Sequence, residues 1–295
     1  MRRELLNDQL IYDVGAHKGE DTEFYLKKGF AVVAIEAVPE FCELLRRKFA
    51  KAVTDGQLKI LSVAVSEATG KIDFYIHETI SEWGTTNPDW VRRNKFILAT
   101  NPDWGSNRTR KISVESRPLI DIMNEHGTPR YCKIDIEGND LAALRSLIGS
   151  KGIPPYISIE SETHDWNMLM KEFLILRELG YNRYKIVNQA LIGLQTCPRP
   201  AREGRDCDHC FQFGCSGLFG EELPGAWLAL QEAVEAYRHI FRGYALNGEY
   251  GMFSGKFSIF RKIARIQAMA THIKGFKTAA SILPPADWYD THAAR

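Results

Sequence analysis

The sequence predicts an α/β domain built on a mostly parallel sheet, and three observations carry that prediction. Through the first two thirds of the chain, short β-rich apolar runs alternate with amphipathic helical patterns, the rhythm of strands joined by crossover helices. A glycine turn, Asp13-Val14-Gly15-Ala16-His17-Lys18-Gly19, follows the first such run. An acid, Glu36, ends the second run about 20 residues later, where a sugar-binding carboxylate is expected in folds of this kind.

Taken in order, residues 10–14 read as the first strand and 21–28 as a helix stopped by Gly29. Residues 31–35 form an apolar run typical of a strand covered on both faces. A helix over 40–51 follows, with Phe41, Leu44, Leu45 and Phe49 at helical spacing. Residues 58–65 read as the third strand, with 71–76 pairing beside it after a turn at Gly70. Residues 80–110, with Trp83, Trp90 and Trp104, read as a long loop, and loops of that length usually serve function. Strands are expected at 131–136, 156–160 and 184–187, with helices at 141–147 and 168–179 between them. From about Gln189 the rhythm changes: 196–225 is rich in Cys, Pro and Gly, and 226–242 reads as a long helix. Residues 1–190 are therefore taken as a core, and 191–295 as an appended cap ending in a terminal strand.

The chain has 295 residues, with 38 Lys and Arg against 37 Asp and Glu, so it exerts no general attraction on polyphosphate. Nucleic acid is accordingly not expected as a partner. No stretch approaches the length of a membrane span and the N-terminus lacks a signal pattern, so a cytoplasmic location with reduced thiols is expected.

The glycine turn offers G-x-x-x-G preceded by an acid, not the G-x-G-x-x-G of pyrophosphate sites. Asp13 would repel a pyrophosphate but can accept a bond from an ammonium group. The Glu36 carboxylate can accept both ribose hydroxyls of an adenosine. A third string, Lys133-Ile134-Asp135-Ile136-Glu137-Gly138, ends the fourth strand, which should flank the point where strand order reverses. Asp135 and Asp13 would then face one crevice, an arrangement suited to a cationic ligand; alternatively, Asp135 only caps the following helix.

These strings, together with Ile35-Glu36-Ala37, resemble FkbM-type methyltransferases over about residues 10–190. The resemblance implies a class I methyltransferase, Rossmann-like fold with bound S-adenosylmethionine, and O-methylation of a sugar or secondary metabolite. On matching positions it implies that Gly15, Ala16, His17 and Gly19 shape the cofactor turn. Glu36 and Ala37 would hold the ribose, and Ala64 or Val65 would flank the adenine. His17 departs from the family pattern, where Asn is common.

Methyl transfer to an alcohol requires alignment of the nucleophile and a base, or a metal, to remove its proton. Asp135, Glu137, Glu160, Glu162, His164 and Asp165 lie at strand ends, with His164 the first choice of base. The same polar cluster could equally cap the helix that follows. Ser81 to Thr86 is expected over the cofactor, with Trp83 walling the methyl site or anchoring the loop. The tail Trp288-Tyr289-Asp290-Thr291-His292 is expected to return as an antiparallel seventh strand, making His292 a second base.

Cys197, Cys207, Cys210 and Cys215 could close a tetrahedral zinc site, but their irregular spacing favours unligated thiols. Phe257, Phe260, Ile263, Ile266, Met269 and Ile273 form an apolar stripe beside basic residues, read as core packing. Two competing readings remain: a nicotinamide-dependent oxidoreductase, against which the missing second glycine counts, and a binding protein that retains the fold.

Overall fold

A computed structural model describes residues 6–92, 108–212, 214–247 and 287–295. Trp104 and the basic amphipathic segment at 256–277 lie outside the described residues. The chain runs β1 (Leu6–Val14), α1 (Glu20–Lys27), β2 (Ala31–Glu36), α2 (Pro39–Lys48), α3 (Ala50–Thr54), β3 (Leu58–Ser62), β4 (Ala64–Val65), β5 (Gly70–His77) and β6 (Thr109–Arg117). It continues through α4 (Leu119–His126), β7 (Thr128–Ile134), α5 (Asp140–Ser146), β8 (Tyr156–Glu160), α6 (Trp166–Glu178), β9 (Arg183–Asn188), α7 (Leu230–Asn247) and β10 (Tyr289–Ala294).

The main sheet has seven strands in the order β3-β2-β1-β7-β8-β10-β9. β10 runs antiparallel to both of its neighbours, whereas the other pairings are parallel. This is the expected α/β class with its antiparallel last strand. Strand order reverses between β1 and β7, so the crevice at their carboxyl ends is the place for a ligand. One face packs Tyr12, Val14, Ile35 and Ile134 against α4 to α7; the other packs Ile11, Val32, Ala34 and Tyr131 against α1 and Phe219.

Local sequence explains the elements that carry the crevice. Pro39 opens α2 with a preset φ, Glu40 follows, and Arg46, Arg47 and Lys48 meet the negative end of its dipole. Asp165 caps α6 by accepting from Asn167 N at 2.8 Å and Met168 N at 3.2 Å.

Several expectations are corrected. The run at 58–65 is two strands: the chain leaves the main sheet at Val63, and β4 joins a three-stranded sheet β4-β6-β5. The strand at 71–76 therefore pairs with β6, not with β3. β6 escapes a reading by periodicity because only Ile112 and Val114 among its nine residues are apolar. The helix at 40–51 breaks at Phe49, whose backbone leaves helical values, and the helix expected from 226 begins at Leu230.

Residues 195–223 pack directly on the core. Phe219 stacks on Tyr131 with ring centroids 4.6 Å apart, Lys28 and Glu222 form a fully buried pair at 2.7 Å, and Asp21 accepts from Ser216 N. Among the described residues no helix is long and apolar enough to cross a membrane.

Candidate active site

The site begins at the turn after β1. Gly15 adopts φ +84°, and a Cβ there would fall inside the contact distance of the Asp135 carbonyl oxygen, so only glycine lets the ends of β1 and β7 come together. Gly15 N and Ala16 N both donate to Ile35 O, at 2.9 and 3.1 Å, which ties the turn to β2. At Gly19, φ +81°, a Cβ would meet Phe49 and Leu45 at 2.5 and 2.6 Å; this glycine serves the packing of α1 on α2.

Glu36 is buried at the end of β2, where Oε2 accepts from His17 N and Oε1 from Val38 N, each at 2.8 Å. Burial pushes its carboxyl above the usual carboxylate range, with the two backbone donors opposing. Each oxygen keeps acceptor capacity toward the crevice. His17, held at φ +46°, places Nε2 3.0 Å from Ser81 Oγ, to which Lys18 Nζ also donates at 2.8 Å. The loop after β5 is latched further on, where Thr85 Oγ1 donates to Glu137 O at 2.6 Å and Asn87 Nδ2 to Gly138 O at 3.0 Å.

These elements enclose a cleft of ≈ 550 Å³, counting the space at its mouth. Ile35, Val38, Phe41, Ala64, Val65 and Phe74 supply apolar walls, and Glu36, Ser81, Asp135, Glu137 and Asn139 supply polar groups. Of the residues expected at a cofactor, Gly15, His17, Glu36 and Ala37 line the cleft, as do Ala64, Val65, Ser81 and Asp135. Ala16, Gly19 and Asp13 do not.

Asp13 is fully buried beneath the cleft, accepting from Thr22 Oγ1 at 2.5 Å. Lys133 Nζ lies 3.5 Å from Asp13, 3.4 Å from Asp21 and 3.3 Å from Asp135. Burial pushes the Asp13 carboxyl upward against the pull of Lys133, and pushes Asp21 up to about 7. The direct ammonium contact expected of Asp13 is corrected on this geometry: Asp135, about one third exposed, is the carboxylate that reaches the cleft.

Beyond it, carboxylate oxygens of Asp135, Glu137 and Glu160 lie within 4.8 Å of one another. Glu137 adopts φ +53°, a left-handed conformation uncommon outside glycine. Burial, then Glu160 and Asp135, hold its carboxyl well above the usual range.

The two histidines expected as bases do not line the cleft. His164 is exposed with its ring edge-on to Tyr244, while the neighbouring Asp165 performs the helix-capping alternative. His292 is 2% exposed in the middle of β10, beside Ser158 in register, and burial pushes its imidazole down to about 3. Trp83 packs against His77 and Trp90, the loop-anchoring alternative. Cys197 and Cys207 have sulfurs 3.8 Å apart, Cys210 is exposed and Cys215 is buried. Among the described residues no three of these thiols and His209 gather at ligating distance. Sequence reasoning assigned no role to Lys133, Asp21 or Asp290; period-two alternation along β10 was the signal for Asp290, which shares a face with His292.

The model of the methyltransferase FkbM domain matches residues 13–183. The chain belongs to the FkbM methyltransferase family. Among solved structures it is similar to an FkbM methyltransferase from Methylobacillus flagellatus KT, at 17% identity and TM-score 0.38, covering 62% of this chain and 40% of that one. It thus spans about two fifths of that protein's length. It is also similar to an S-adenosylmethionine-dependent methyltransferase from Archaeoglobus fulgidus (10% identity, TM-score 0.35, covering 97% and 86%). A third is one from Geobacter sulfurreducens in complex with S-adenosylhomocysteine (9%, 0.33, 97% and 83%). No curated protein sequence matches it.

The cleft carries a donor and acceptor set that fits S-adenosylmethionine, the cofactor that the family resemblance implies. Glu36 offers carboxylate oxygens for a ribose diol, the apolar walls suit an adenine ring, and Asp135 offers an anion for the ammonium and sulfonium charges.

Proposed function

We propose that the chain methylates a hydroxyl of a sugar or secondary metabolite, with S-adenosylmethionine as donor. The observation that carries this reading is the placement of Glu36 and Asp135 on one cleft, with Glu137 and Glu160 beyond Asp135. The bound cofactor supplies an electrophilic methyl group on a positively charged sulfur. Glu36 fixes the ribose, and Asp135 accepts from the ammonium group while Lys133, Asp13 and Asp21 hold it in place from below. A hydroxyl oxygen held beside Asp135, Glu137 and Glu160 would be the acceptor of that methyl group. The hydroxyl proton passes to the Asp135, Glu137 and Glu160 carboxylates, because neither His164 nor His292 lines the cleft. Residues 191–295, appended to the core at 1–190, are proposed to set acceptor choice.

Calorimetric titration with S-adenosylmethionine, S-adenosylhomocysteine and NAD tests the cofactor. Micromolar binding of both sulfur ligands is expected, with none of NAD. Glu36→Ala removes two charge-assisted bonds worth about 1.5–3 kcal/mol each, so affinity should fall at least tenfold. Binding of NAD alone sinks the reading. Transfer of labelled methyl to glycosides, with an ether product, tests the acceptor class; amine products only would reject it.

A further inference from the structure

We propose that Asp135, Glu137, Glu160 and Asp290 form a divalent-cation site beside the cofactor cleft, where the cation holds and acidifies the acceptor hydroxyl. The second half of this proposal rests on the methyltransferase reading; the first does not.

Two independent observations point to a cation. The oxygens of Asp135, Glu137 and Glu160 already lie within 4.8 Å of one another. Oxygens on opposite sides of one Mg²⁺, Mn²⁺ or Ca²⁺ sit about 4–5 Å apart, given metal–oxygen distances of about 2.0–2.6 Å. Small side-chain rotations would therefore close the shell without moving backbone.

The second observation is Asp290. It is 5% exposed, and among the described residues its carboxylate has no hydrogen bond and no ion pair. It pairs with Glu160 in antiparallel register, and residues directly opposite in a sheet project from the same face. Lys133 shares that face: it pairs with Ser158, two residues before Glu160 on β8. Asp290 is thus a buried carboxyl group beside the cluster, with Asp135, Glu160 and Lys133 as its charged neighbours. A buried carboxylate without a partner is expensive, and a cation supplies the missing one.

The charge balance agrees. Asp13, Asp21 and Asp135 already surround the Lys133 ammonium, and among the described residues it makes no ion pair with Glu137 or Asp290. The ligands are all carboxylate oxygens, a hard set that selects Mg²⁺, Mn²⁺ or Ca²⁺ over zinc or copper. A hydroxyl bound to such an ion loses its proton more readily, the role for which neither His164 nor His292 lines the cleft.

The test is Mn²⁺ binding to the full chain, followed by electron paramagnetic resonance, with S-adenosylhomocysteine titrated in parallel. One Mn²⁺ per chain is expected with Kd below about 100 μM, the range of moderate protein cation sites. Glu160→Gln and Asp290→Asn should each weaken Mn²⁺ at least tenfold while leaving S-adenosylhomocysteine affinity within about threefold. Glu137→Gln, at a half-buried position, should likewise weaken Mn²⁺ at least tenfold should either of those fail to fold. No saturable Mn²⁺ below about 1 mM in protein that binds S-adenosylhomocysteine overturns the site. Unchanged Mn²⁺ affinity in the folded variants overturns it equally. Mn²⁺ binding lost in the variants, with no S-adenosylhomocysteine binding at all, upholds the site and rejects the methyltransferase reading instead.

Discussion

Gly15 and Gly19 bracket the turn after β1 at nearly the same φ, +84° and +81°, yet alanine should not cost the same at both. A non-glycine residue in the left-handed region costs about 1–2 kcal/mol, and both variants share that term. At Gly15 the new methyl meets the Asp135 carbonyl oxygen, a backbone atom of β7's end, so the two strand ends must part. Overpacking of that kind adds about 1–3 kcal/mol. At Gly19 the methyl meets the outer atoms of Phe49 and Leu45 at 2.5 and 2.6 Å, and side chains can rotate away. We expect Gly15→Ala to lose about 2–5 kcal/mol and Gly19→Ala about 1–3 kcal/mol. At about 2–4 °C per kcal/mol for a chain of this size, the two should melt several degrees apart. Scanning calorimetry measures the difference. S-adenosylhomocysteine titration adds a functional reading: because Gly15→Ala displaces Asp135, it should weaken binding at least tenfold, and more than Gly19→Ala does. Equal melting temperatures, or a Gly15→Ala protein that binds like wild type, would refute the close approach of β1 and β7 as the reason for the glycine.

Further outcomes follow from the same interactions. His292 is neutral and buried, and its folded-state pKa of about 3 lies below the ordinary value of 6.5. Its contribution is intact above pH 6.5 and lost as pH falls toward 3, because the unfolded chain then binds the extra proton. His292→Phe should therefore gain about 2 kcal/mol relative to wild type between pH 7 and 5, read from denaturant midpoints; a constant gap would contradict the burial. Lys28→Met strands Glu222, its partner at 2.7 Å with both side chains fully buried, and should cost about 3–5 kcal/mol. Limited proteolysis should then cut first within 195–223; unchanged cleavage would show that the pair does not fasten this segment. Phe219→Ala removes a fully buried ring stacked on Tyr131 and should cost about 3–5 kcal/mol by chemical unfolding. His164→Ala should leave kcat within about threefold; a loss of 10²–10⁴ would restore His164 as general base.

The class of fold and most residues lining the cleft were legible in local sequence because both depend on local chemistry. Alternating apolar runs report which segments are covered on both faces, and that pattern found six of the seven strands of the main sheet before the tail supplied the last. Glycine before a helix, an acid ending β2 and the Lys133–Gly138 string stand at strand ends, where short segments both form the turn and face the ligand. Partners distant in sequence were decided only by tertiary structure. Asp13 and Asp135 read alike along the chain, but Lys133 and Thr22 draw Asp13 into the interior while Asp135 remains at the surface of the cleft. β6 carries little apolar signal because a three-stranded sheet at the edge buries one side of it only partly. His292 and Asp290 are two residues apart on one strand, yet the register of β10 on β8 sets Asp290 beside Glu160 and His292 beside Ser158. Hydrophobic period and turn chemistry act over a few residues and are written in order along the chain. Which buried charges meet depends on strand register across more than 100 residues of intervening sequence, and no local pattern encodes it.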